Sequence, residues 1–284
     1  MTEIRIAEPA DLPRQKALWK LVFGDPDAYI DRFYSHSALG HSLLLEDGGM
    51  LCSMVSLLDL SVTLPDGKAA TSGYIYALAT HPNARGRGFA HALLDHADRF
   101  LQSLGRTCVT VVPADPPLHA FYRAEGFVEC FATQFRTLEA NRLPSCAPAD
   151  SCVPLSSPAA YNQLRERLLT GTLHVSYPEA LIAYQQALSL AGRGGLFQLT
   201  TAGQEGAAVV EAGDADTYTI KELLLPNGDA ARAVALLAAH LPAAQNYAVR
   251  TPAQGHGARA FGMIKWYAPP PLQTQIGYLG LAFD

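Results

Sequence analysis

The chain has 284 residues, a mass of 30.4 kDa and a formal charge of −5, which suggests two domains at about 150 residues each. Hydrophobic residues at 49% against charged residues at 17% fit a packed globular protein and exclude a disordered chain. The mildly acidic balance gives no general attraction to nucleic acid or to an anionic membrane, and it slightly favours a cationic small-molecule partner.

The opening MTEIRIAEPADLPRQ lacks the apolar core of a signal peptide. No apolar run approaches the roughly 20 residues of a membrane span, so a cytoplasmic location is expected. Cys52, Cys108, Cys130, Cys146 and Cys152 show no C-x-x-C pair and no His at metal spacing. They read as free thiols in a reducing compartment, and no metal is expected.

IRIAEP (4–9) predicts a short strand. ADLPRQKALWKLVFG has apolar residues at helical spacing and stops at Gly24. DPDAYIDRFYSHS predicts a second helix with Asp25 as N-cap and Pro26 at its first position. Residues 41–80 read as three strands broken at Asp47-Gly48-Gly49 and Pro65-Asp66-Gly67. From Ala90 a helix follows, with Leu93, Leu94, Ala97, Leu101 and Leu104 on one face and Gly105 at its end. RTCVTVVPA is a buried strand, DPPLHAFYRAEG a short helix and FVECFATQFRTLE a closing strand.

The segment 141–158, with Pro144, Pro148, Pro154 and Pro158, reads as an inter-domain linker. It separates a first domain, 1–140, from a second, 159–284. The second half repeats the order of the first: helices over 158–170 and 177–191, three strands, a helix over 229–241, a strand, and a strand pair ending in IKWYA and GYLGLAFD. Gly192 to Gly195 reads as a helix stop and turn. The fold class is α/β with a mixed sheet, one fold used twice.

The sharpest feature is the junction YIYALAT-HPNARGRGFAHALL. A buried strand enters a loop that delivers Arg85, Gly86, Arg87, Gly88, Phe89 and Ala90 to a helix start. Small residues let backbone N–H groups approach an anion, and a helix N-terminus offers unpaired donors and partial positive charge. Together they suit a pyrophosphate. The pattern is neither G-x-G-x-x-G nor a P-loop.

Arg85-x-x-Gly88-x-Ala90 after a strand resembles the Q/R-x-x-G-x-G/A signature of the GNAT acyltransferase superfamily. Downstream, DPPLHAFYRAEGF resembles the family's N-x-x-A-x-x-[FL]-Y-x-x-x-G-F segment, with Asp115 in place of the commoner Asn and with Phe121, Tyr122, Gly126 and Phe127 matching. The resemblance covers residues 1–140. It implies acetyl-CoA as co-substrate, with backbone groups of Leu78, Ala79 and Thr80 on the pantetheine arm and with Asp115 and Phe121 among the cofactor-binding residues. It also implies Tyr122 as the proton donor to the departing thiolate, since a tyrosine hydroxyl is protonated at neutral pH. The acceptor is then a primary amine on a small molecule or peptide. The glutamate that many members carry before the loop is absent, and Tyr74 stands there.

The chain also resembles the Eis-like acetyltransferases, which join an active GNAT domain to a degenerate one and place the terminal carboxylate in the active site. That resemblance implies Asp284 as base or orienting group; the long third domain of those proteins is missing here. The second half has LLLPNGDAARAVALL where the loop would be, without the arginine pair. It is expected to bind no coenzyme A and to wall the acceptor cleft, through Tyr267 or Tyr278. Tyr74 and Tyr76, on one face of their strand, are the acceptor residues expected from the first half. Transfer of a longer acyl group and a non-catalytic acyl-CoA sensor stand as alternatives. A homodimer is compatible with the sequence.

Overall fold

The computed structural model describes residues 2–36, 40–214, 216–226, 228–253, 257–269 and 276–283. The chain forms two compact units. The first comprises Met1–Val62, Ala69–Cys130 and Gly262–Gln275; the second comprises Thr63–Lys68, Phe131–Phe261 and Ile276–Asp284.

The first unit contains β1 (Thr2–Ile6), α1 (Leu12–Phe23), α2 (Asp27–Ser35), β2 (Gly40–Asp47), β3 (Met50–Thr63), β4 (Ala69–Thr80), α3 (Phe89–Ser103), β5 (Cys108–Val111) and α4 (Pro116–Ala124). β6 (Val128–Glu139) begins there and joins the second unit from Phe131. The strands of this unit run β1-β2-β3-β4-β5 and then β13 (Arg259–Trp266), a strand from the far end of the sequence. β4 and β5 are parallel, and β13 lies antiparallel to β5 with Met263 opposite Val111. Tyr267 and Lys265 tie this strand to α3 by donating to Asp98, at 2.8 and 2.5 Å. The core gathers Leu93, Leu94, Ala97 and Leu101 of α3 with β2–β5 and Met263. Leu104, expected on that face, is 41% exposed, because the helix ends at Ser103 and Gly105 turns left-handed after it. Truncating a core leucine such as Leu93 would cost about 2–5 kcal/mol.

The second unit contains β7 (Ser151–Pro154), α5 (Pro158–Leu168), β8 (His174–Ser176), α6 (Glu179–Ala191), β9 (Gly195–Thr201), β10 (Gln204–Ala212), β11 (Thr217–Leu224), α7 (Ala230–Ala238) and β12 (Asn246–Pro252). Its order is β6-β12-β11-β10-β9-β7, with β11 and β12 parallel and the other pairs antiparallel.

Four expectations are corrected. The division of the chain is not 1–140 and 159–284, because residues 131–139 pair with β12 and 262–269 pack into the first unit. The expected linker carries β7, which pairs with β9. Asp25 does not cap α2: Pro26 holds the N-cap position, and Asp25 accepts from Trp19 Nε1 at 2.7 Å. The segment 276–283 makes only isolated bridges, Gly277 with Phe131 and Tyr278 with His174, rather than a strand pairing with IKWYA.

Candidate active site

β4 and β5 pair over only four residues, Ser72–Ile75 against Cys108–Val111. β5 then ends, while β4 continues to Thr80. Ala77 takes φ +50°, an uncommon value for a residue with a side chain. The strands therefore part after Ile75, and Leu78, Ala79 and Thr80 lie beyond the last pair. Ser53 Oγ donates to the Ala79 carbonyl at 2.8 Å and lies 3.0 Å from Thr80 Oγ1. Each carbonyl oxygen has two lone pairs, so the Ala79 carbonyl can accept from a second donor. Leu78 packs on the core that holds Phe89, Leu93 and Tyr122.

The loop 81–88 opens with a short turn in which His81 Nδ1 accepts from the Asn83 amide at 3.2 Å. It then bends twice through left-handed glycines, Gly86 at φ +74° and Gly88 at φ +77°. A Cβ at either position would meet nothing within 4 Å, so the loop is open on that side. Gly88 is the N-cap of α3 and has no side chain to occupy the helix amides. The N–H groups of the first turn, which includes Phe89 and Ala90, therefore remain available. Arg87 lies 4.4 Å above the Phe89 ring and pairs with Asp47 at 2.6 Å; Arg85 Nε reaches the Thr80 carbonyl at 3.4 Å. An open glycine loop, uncapped amides and two guanidinium groups fit a pyrophosphate.

Asp115 caps α4 by accepting from the Leu118 amide at 2.9 Å. That cap fixes the helix that carries Phe121 and Tyr122. Tyr122 is 5% exposed, with ring centroids 5.1 Å from Phe121 and 5.4 Å from Phe127. Burial first, and the Glu125 charge second, push its hydroxyl well above the ordinary tyrosine range. It stays protonated at any physiological pH. Sequence spacing missed two further features. His91 Nδ1 pairs with Glu125, joining the first turn of α3 to the end of α4. Ser53 braces the end of β4. Neither partner has a signal in local sequence.

Tyr74 is buried at 2%, and its ring stacks on that of Tyr76 with centroids 6.1 Å apart at 25°, as their alternation requires. Tyr76 hydrogen-bonds the Tyr29 hydroxyl at 3.0 Å and packs against Trp19 and Phe33. The face is thus largely core, with Tyr76 half-exposed. Two expected cleft residues are displaced. Tyr267 belongs to the first unit and is spent on Asp98. Tyr278 is 1% exposed inside the second unit, beside the buried Glu222 and Arg165. Asp284 lies outside the described residues. Among the described residues, no group of three or more His, Cys, Asp or Glu is placed to hold a metal, and no helix is long and apolar enough to cross a membrane.

A mixed sheet thus opens at its parallel pair beside a glycine loop and an uncapped helix. Residues 3–129 match the family model of an acetyltransferase (GNAT) domain. The chain is similar in structure to a conserved protein from Enterococcus faecalis V583 described as a probable N-acyltransferase, with TM-score 0.72 and 16% identity over 94% of this chain and 73% of that one. It is similar to Eis1 from Mycobacterium abscessus, with TM-score 0.66 and 15% identity over 94% and 73%. A tandem GNAT protein from the clavulanic acid biosynthesis pathway gives TM-score 0.60 and 15% identity over 95% of this chain and all of that one. These likenesses span both units and establish the fold. A comparison with curated protein sequences finds no significant match.

Proposed function

We propose that the protein is an N-acetyltransferase that moves acetyl from acetyl-CoA to a primary amine by direct attack, with no covalent enzyme intermediate. The observation that carries this reading is the parting of β4 from β5 immediately before an open glycine loop and an uncapped helix. Bound acetyl-CoA supplies the activated thioester. Arg85, Arg87 and the amides from Gly86 to Ala90 hold the pyrophosphate. Backbone groups of Leu78, Ala79 and Thr80 orient the pantetheine arm, with Phe121 beside it.

Tyr122 holds its proton at the hydroxyl and donates it to the leaving sulfur. Burial keeps that proton in place until a thiolate develops. The amine must arrive neutral, although its reference pKa is near 10.4, so it needs an acceptor for its proton. β4 contains no acid, and we assign that role to Asp284. Tyr76 lines the amine's approach, backed by Tyr74. The acidic balance of the chain suits a cationic acceptor.

A thiol-release assay with acetyl-CoA against a panel of amines, beside thermal shift with coenzyme A alone, tests this. Stabilisation with turnover on one amine class is the expected result. Stabilisation without turnover on any amine overturns the enzymatic reading in favour of a sensor. Absence of stabilisation overturns the coenzyme A site itself.

A further inference from the structure

Beyond Ile75 the end of β4 keeps β3 as a neighbour and loses β5, which stops at Val111 while β4 runs on to Thr80. Ala77, at φ +50°, interrupts the regular course of the strand at the same point. The direction of the peptide groups of residues 78–80 is therefore set from the β3 side. The His81 amide donates to the Cys52 carbonyl at 2.8 Å. Ser53 adds a tie from its side chain: Oγ donates to the Ala79 carbonyl at 2.8 Å and lies 3.0 Å from Thr80 Oγ1.

Ser53 is an unusual residue for its place. Every residue of β3 from Leu51 to Leu58 is buried, and Ser53 is 0% exposed. A hydroxyl in such a site is costly unless it is bonded, and packing alone would be served by alanine. The acceptor that satisfies it belongs to another strand, in the segment beside the glycine loop.

Successive carbonyls of a strand point to opposite edges. With the Ala79 carbonyl turned towards β3, those of Leu78 and Thr80 point to the edge that β5 has left. Arg85 of the glycine loop reaches the Thr80 carbonyl at 3.4 Å. An amide chain such as pantetheine binds peptide groups best when their direction is fixed before it arrives. We infer that Ser53 is a positioning residue for the cofactor: its hydroxyl fixes residues 78–80 so that the backbone groups of Leu78 and Thr80 meet the pantetheine arm. This inference rests on the coenzyme A site proposed above.

The test is calorimetric titration of coenzyme A, and of its nucleotide half 3′-phospho-ADP, into the full-length protein. Ser53→Ala is expected to weaken coenzyme A about five- to tenfold, the worth of one net hydrogen bond. It should leave the nucleotide half, which lacks pantetheine, within about twofold of the wild type; that retained binding also shows that the loop and α3 are folded. Ser53→Thr, which keeps the hydroxyl, should restore most of the coenzyme A affinity. Three results overturn the inference alone: coenzyme A affinity unchanged in Ser53→Ala; both ligands weakened by the same factor, which marks a general structural role; or Ser53→Thr no better than Ser53→Ala while the nucleotide half still binds. Absence of coenzyme A binding by the wild type is a separate outcome, which overturns the proposed function and this inference with it.

Discussion

The two units build a parallel strand pair, a loop and a helix in the same order, and they finish the loop in opposite ways. In the first, Gly88 leaves the α3 amides open and a Cβ on Gly86 or Gly88 would touch nothing. In the second, Asp229 closes the α7 amides and Leu225 fills the loop. Counting from the last parallel pair, Ile75 with Val111 and Ile220 with Val249, the position two residues on holds Ala77 in β4 and Glu222 in β11. Glu222 is fully buried, accepting from Arg165 Nε at 3.0 Å and from the Tyr161 hydroxyl at 2.8 Å. The lesson is that a helix end can be stabilised by its own side chain or kept open for a ligand's anion, but the same donors cannot serve both.

The strongest test of that contrast breaks the second unit. Glu222→Gln leaves the buried Arg165 charge with only the partly exposed Glu166, 3.2 Å away, as counter-charge, and should cost about 3–5 kcal/mol of unfolding free energy in denaturant titration. A cost below about 1 kcal/mol would mean that the buried charges of this unit do not hold it. Next, Tyr122→Phe should lower kcat by about 10² or more with little change in acetyl-CoA KM. Its melting temperature should barely move, since the Phe ring keeps the packing against Phe121 and Phe127.

A third variant copies one unit's solution into the other. Gly88→Asp places a carboxylate over the α3 amides and forces a side chain into φ +77°, a strain of about 1–2 kcal/mol. Coenzyme A affinity should fall about 10–100-fold by calorimetry. Gly88→Ala separates strain from charge: an equal loss in both variants would show that charge plays no part. The smallest effect concerns acid. Two hydrogen bonds from Arg5, at 2.6 and 2.8 Å, are the main cause holding Asp11 down at about pH 2. Its unfolded value is about 3.9. The stabilisation from this pair is complete above the unfolded value and is lost as pH falls from about 4 towards 2. In Asp11→Asn, the fall in stability across that window should be shallower than in the wild type.

Much of this was legible in the sequence because it is local. The α3 stripe, the glycine loop and the two-residue alternation of Tyr74 and Tyr76 each follow from spacing and turn chemistry. What escaped is non-local. Hydropathy marks IKWYA as a strand but says nothing of its partner, so its pairing with β5 could not be read. Arg165 and Glu222 look like solvated charges, since only the fold brings them together. Spacing also gives no sign that the ring nitrogen of Trp19 fixes Asp25 and that its face supports Tyr76.

The strand that covers β5 arrives late. Trp266 lies opposite Cys108, so at ribosomal speeds of about 5–20 residues per second the edge of β5 waits on the order of ten seconds or more for its neighbour. Until then it is an open, hydrophobic template for wrong partners. The unit that is synthesised first is therefore completed only when β13 emerges, and residues 1–140 released alone would keep that edge exposed for good.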